Sequence, residues 1–256
     1  MFFYTPDIFN IFALPASFIG FIHQPWSLFT YMFMHAGILH ILFNMLWLYW
    51  FGSLFLYFFS AKHLRGLYIL GGICGGLLYM VAYNVFPLFS SQVPGATLVG
   101  ASASVLAIVA ATAYREPNYR VQLFLFGAVR LKYLALVVIG IDVLSITSSN
   151  AGGHIAHLGG ALAGLWFAAS LSKGIDLTSW INWILDGFIS LFQKKTWERK
   201  PKMKVHYGSN ATERRKDYDY NAHKKAQSDE VDRILEKLKK SGYDSLTTEE
   251  KKSLFD

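Results

Sequence analysis

A single cysteine, Cys74, lies inside an apolar run, so the chain can build neither a disulfide framework nor a thiol-based metal site. Charge is almost as scarce. Only 16% of residues are Asp, Glu, Lys or Arg against 53% apolar, and from Ile8 to Trp180 the charges are few. No secretory signal with a cleavage site is evident. The His-Glu-x-x-His pattern of helical zinc proteases is absent. An aspartyl protease would need two aspartates within spans, and Asp142 is the one good candidate. Polar composition begins only beyond Lys194. These scarcities exclude a soluble globular core and leave a polytopic membrane protein with a soluble tail.

Crossing a bilayer takes roughly 20 apolar residues at about 1.5 Å each. Five runs qualify by length or apolarity, near 38–58, 66–86, 100–114, 131–147 and 154–171. Lys62, His63 and Arg65 follow the first run; Arg115, Arg120, Arg130 and Lys132 lie between the third and fourth; Lys173 follows the fifth. The loops 87–99 and 148–153 carry no Lys or Arg. Basic loops mark the cytoplasmic side, so the tail is expected there and the uncharged loops outside. Five spans ending inside would place the N-terminus outside. The stretch 9–22 is short, contains Pro15 and Gly20, and reads as an interfacial loop. A further helix is therefore expected ahead of Met1.

Two polar side chains stand out within apolar, glycine-rich surroundings: Ser102 in Gly100-Ala101-Ser102-Ala103-Ser104, and His157 in His154-Ile155-Ala156-His157-Leu158-Gly159-Gly160. Hydrocarbon does not tolerate such groups without partners, so they point to function. A nucleophile and a general base are the simplest chemistry that uses both. The run from Gly100 to Tyr114 makes only roughly 22 Å of helix against a core of about 30 Å, so its start must lie below the external surface. Ser102 then sits in the first turn of a helix whose N-terminus favours a developing oxyanion. His40 and Asn44, spaced i and i+4, share one face of the first span. They read as oxyanion donors or as hydrogen bonds between helices. Ser102 alone could simply bond the carbonyl one turn back. His154 reads as a loop anchor or a supporting site residue, and Asp142 as a helix-end hydrogen bonder rather than a triad member. Gly160 and Gly164 form a small-xxx-small pair suited to approach Ala103, Ala107 and Ala110.

The Gly100-Ala101-Ser102 and Ala156-His157-Leu158-Gly159-Gly160 motifs, with His35…His40…Asn44 running into Trp47–Gly52, resemble the rhomboid family of intramembrane serine proteases. The similarity covers roughly residues 26–171, in the family's order. It implies a six-helix core, with Ser102 as nucleophile, His157 as base, His40 and Asn44 as oxyanion stabilisers and His35 as a loop-anchoring histidine. Two positions depart from the family's usual pattern: Ala103 stands where glycine follows the serine, and Leu106 where an aromatic residue packs on the histidine.

The expected fold is all-α, a polytopic transmembrane helix bundle of rhomboid type with a cytoplasmic helical tail. Residues 1–175 form the membrane core, with 1–37 its interface loop region. An interfacial helix near 179–192 and a basic linker fill 176–227. A two-helix tail occupies 228–256, with Ser228 as an N-cap, Gly242 as a stop and Thr247…Glu250 as a capping box. No cofactor is expected, and no metal, because no carboxylate or thiolate joins the histidines. The expected activity is endopeptidase cleavage of single-pass transmembrane substrates near the external face, in a bacterial inner membrane. The expected partners are those substrates and the lipid bilayer, with no nucleic acid. The alternatives are a non-catalytic relative that binds transmembrane clients, and an inactive N-terminally truncated fragment.

Overall fold

A computed structural model describes residues 6–123, 127–192 and 211–253. The chain divides into two compact units, Met1–Trp197 and Glu198–Asp256. The first begins with short helices α1 (Pro6–Phe12), α2 (Phe18–His23) and α3 (Ser27–Thr30), followed by the long helices α4 (Ile38–Phe55) and α5 (Ala61–Val85). Then come α6 (Ser102–Arg115), α7 (Leu131–Leu144), α8 (Ala151–Leu171) and α9 (Ser179–Phe192). Of these, α4, α5 and α8 are long and apolar enough to cross a membrane, and α6 is a shorter apolar helix.

Small residues set the packing. A Cβ built on Gly160 would lie 2.0 Å from the Ala103 carbonyl oxygen, and one on Gly164 would lie 2.1 Å from that of Ala107. Backbone of α8 therefore rests directly on backbone of α6, as the Gly160/Gly164 spacing predicts. On its other flank α6 meets α5. The Ala103 methyl faces Gly75, and the Ala107 methyl faces Gly71, at would-be Cβ separations of 2.6 and 2.4 Å. Alanine is accommodated after Ser102 because the neighbouring helix supplies the missing space. Residues 103–113 are all buried, so the serine helix is the axis of the bundle.

The N-terminal region is more than a loop on a surface. Strand β1 (Leu14–Pro15) pairs antiparallel with β2 (Thr97–Leu98), directly ahead of α6. Asn84 Nδ2 donates to the Ala16 carbonyl at 2.8 Å, the Tyr31 hydroxyl to Gly72 at 2.6 Å, and the Tyr68 hydroxyl to Met32 at 2.8 Å. Those bonds, with Leu14, Tyr31 and Met32 fully buried, hold the segment on α5. A second ribbon, β3 (Arg120–Leu123) with β4 (Gly127–Arg130), joins α6 to α7.

Helix α5 starts earlier than the expected Gly66, because the Ser60 hydroxyl caps it by accepting from the His63 N–H. Helix α9 matches its expected bounds. It is anchored where Gly66 leaves room for Thr178, where Arg65 Nε donates to Asn182 Oδ1 at 2.7 Å, and where Arg65 and Lys62 pair with Asp186. Arg65, then Lys62, hold the Asp186 carboxyl below its ordinary range. Trp183, Phe188 and Phe192 stay exposed.

The second unit corrects the expected start at Ser228. Its long helix α10 runs Ala211–Ser241. A scarcity of aliphatic residues gauges burial, not helicity; Ala, Glu, Arg, Lys and Gln are good helix formers, and between Ala211 and Gly242 no Gly or Pro intervenes. The rest of the expected linker, at 193–210, lies outside the described residues. Gly242 ends α10 with φ +75°, and Ile234 and Leu246 are buried. Helix α11 (Thr248–Ser253) begins with the expected capping box: Glu250 Oε2 accepts from the Thr247 N–H at 2.8 Å, and Thr247 Oγ1 from the Glu250 N–H at 3.3 Å.

Candidate active site

The turn into α6 brings Ser102 to a cavity at one end of the bundle. Gly100 has φ +132°, a conformation that side-chain-bearing residues rarely adopt, and its N–H donates to the Tyr31 carbonyl at 3.0 Å. The N-terminal segment thereby fixes the turn that delivers the serine. Ala101 provides no side-chain cap, so the positive end of α6 has no competing side chain at Ser102.

A cavity of about 810 Å³ is lined by Ser102, His157, His40 and Asn44 together, with Phe43 and Trp47 among its apolar walls. All four principal residues named from sequence therefore face one space, at the end of the bundle opposite Lys62, Arg65, Arg115 and Lys132. His40 lies against the turn: a Cβ on Gly100 would meet His40 Nε2 at 2.9 Å and Ser102 Oγ at 3.6 Å. The Ala36 N–H donates to His40 Nδ1 at 3.3 Å. With Nδ1 accepting, the neutral ring carries its proton on Nε2, the atom nearest Gly100. Asn44 Nδ2 donates to the His40 carbonyl at 2.8 Å, which leaves the amide's second N–H for a ligand.

His35 does not line the cavity. Its ring stands edge-on to His40 at 5.2 Å between centroids. Burial, and then the neighbouring His40, lower its pKa from the ordinary imidazole value, so it is neutral at pH 7. Leu106 lines the cavity where an aromatic ring is usual. Ser104 is fully buried on α6, facing Gly72 and away from the cavity-lining residues.

The feature that sequence reasoning undervalued is Asp142. Its Oδ1 accepts from His154 Nδ1 and from His157 Nδ1, each at 2.8 Å, and the residue is only 3% exposed. The expectation that no carboxylate joins the histidines is thus corrected. The tight 145–150 turn folds α7 back along α8 and sets Asp142 level with both rings. The donor atoms of Asp142, His154 and His157 lie within 4.8 Å of one another, a spacing that could hold a metal ion. In the structure the two ring nitrogens are engaged in hydrogen bonds to the carboxylate.

Comparison with known proteins follows the same lines. The Rhomboid domain family matches residues 22–174. Residues 215–256 match a family of unknown function, DUF6576. RHOMBOID-like protein 12, mitochondrial, from Arabidopsis thaliana is 32% identical over 157 residues, which are 58% of this chain and 47% of that protein. The chain therefore spans about half the length of that relative.

Proposed function

The chain belongs to the rhomboid family of helical membrane proteins, and we propose that it is an intramembrane serine endopeptidase working through Ser102 and His157. The observation that carries this reading is the convergence of Ser102, His157, His40 and Asn44 on one cavity at the start of the buried serine helix. A substrate's transmembrane helix enters from the bilayer, and its end unwinds into the cavity. His157 Nε2 takes the Ser102 hydroxyl proton, and Oγ attacks the peptide carbonyl carbon. The Ser102 N–H, His40 Nε2–H and the free Asn44 N–H hold the oxyanion. His157 returns the proton to the leaving amine, and water, deprotonated by the same ring, hydrolyses the acyl-enzyme.

The basic loops lie opposite the cavity, which supports a cytoplasmic C-terminus and cleavage near the external face; the membrane in this reading is a bacterial inner membrane. The substrates in this reading are single-pass membrane proteins.

The test is cleavage of a model transmembrane substrate in liposomes by the wild type, Ser102→Ala and His157→Ala. Cleavage by the wild type that both substitutions abolish is the expected result. Stable capture of the substrate without cleavage, unchanged by either substitution, would favour client binding instead.

A further inference from the structure

We infer that Asp142 is a positioning residue for the proposed reaction: it fixes the tautomer and orientation of His157, and His154 is a second donor sharing the same oxygen. The inference rests on the serine-protease reading above. A carboxylate facing Nδ1 can only accept, so His157 carries its proton on Nδ1 and presents a bare Nε2, the atom a general base needs. Without that partner the ring is free to carry its proton on Nε2, where it cannot take one from Ser102.

Three observations favour positioning over a simple staple between α7 and α8. Asp142 occupies the last turn of α7, the negative end of a helix, where a carboxylate is disfavoured and an asparagine would hold two helices at less cost. Its other oxygen, Oδ2, is buried with no hydrogen-bond partner, so the carboxylate serves the two imidazoles alone among the described residues. His157 lines the cavity and His154 does not, so one carboxylate oxygen links a site residue to a ring outside the site.

The two substitutions Asp142→Asn and His154→Ala separate these roles. Positioning predicts that D142N lowers kcat by about 10²- to 10⁴-fold, as expected when a catalytic histidine loses its carboxylate, with KM and thermal stability little changed. H154A removes one of the two hydrogen bonds to Asp142 and should leave kcat within about tenfold of wild type, because Asp142 still holds His157. D142N with near-wild-type kcat would overturn the inference. So would equal losses in both variants that follow lost thermal stability. Should D142N fail to fold, nitrogen NMR of ¹⁵N-histidine-labelled wild type, assigned against His157→Ala, reads the tautomer directly. A protonated Nδ1 with bare Nε2 is expected, and the opposite tautomer overturns the role. A wild type that neither cleaves nor reacts with a fluorophosphonate at Ser102 would defeat the protease reading itself, and the positioning role with it. A silent D142N beside an active wild type defeats neither.

Discussion

Replacing Gly160 with alanine adds one methyl group at the tightest crossing in the bundle. The new Cβ would stand 2.0 Å from the Ala103 carbonyl oxygen and 2.7 Å from its carbon. Ordinary contact begins at 3.4 Å, so α8 must move about 1.4 Å from α6 along that line, or slide past it. The obstacle is backbone within a helix and cannot rotate aside. Overpacking of this kind costs about 1–3 kcal/mol. The effect on chemistry should be larger, since Gly160 sits one turn after His157 and Ala103 directly follows Ser102. A displacement of roughly 1 Å between reacting groups can cost on the order of 10²-fold in rate. Gly164→Ala makes the equivalent clash with Ala107, at 2.1 Å, one turn farther from the site. It should lower thermal stability as much as G160A while reducing kcat less. Gly140, whose Cβ would meet nothing within 4 Å, is the control and should tolerate alanine. The assay pairs kcat on a transmembrane substrate in liposomes with the melting temperature of each variant. Wild-type kcat and melting in G160A would refute the argument that this crossing sets the Ser102–His157 geometry. Equal kcat losses in G160A and G164A would refute its catalytic half.

His40→Phe keeps a ring beside Gly100 but removes the Nε2–H donor; kcat should fall on the order of 10²- to 10³-fold with KM little changed, and an unchanged kcat would remove His40 from the oxyanion site. Asp186→Asn removes the ion pairs to Arg65 and Lys62, so amide exchange should quicken in the second half of α9, while its first turn stays protected by the Arg65–Asn182 bond and the fit of Thr178 at Gly66. Glu250 has a pKa lowered to about 2, first by the Lys237 ammonium and then by the Thr247 N–H. A depressed folded pKa means that the contact stabilises fully above the ordinary carboxyl pKa and is lost as pH falls from about 4.5 towards about 2. Amide exchange at 247–251 should accelerate across that window, and Glu250→Gln should abolish the transition.

Much of the core was legible because its signals are local. Gly100 and Arg115 bracket a helix too short for the bilayer, and the Gly160/Gly164 spacing names the face that meets α6. The reciprocal glycines of α5, Gly71 and Gly75, carry the same small-xxx-small pattern, and that rule could have identified them as the surface receiving Ala107 and Ala103. The N-terminal segment offered no such pattern. Its burial comes from pairing with β2 and from side chains of Tyr68 and Asn84 on a distant helix, neither of which has a local period. Asp142 was visible as a residue but not as a partner. Whether it meets His157 depends on the phase in which α7 enters and α8 leaves the 145–150 turn, and sequence spacing across a turn does not fix that phase.

The way α7 is held bears on how a substrate could enter. Its buried residues are Leu131 and Ala135 near one end and Asp142 near the other, while Leu136, Val137 and Ile141 face outward. The half of α7 nearest the cavity is held by Val138 and Ile139 packed on the core and by the two hydrogen bonds of Asp142 to α8. Those bonds also orient the proposed base. An entering helix that pushed this end of α7 aside would separate Asp142 from His157 and disable the ring just as the peptide arrived. Productive entry must then either leave the Asp142 end of α7 in place or allow it to return before attack.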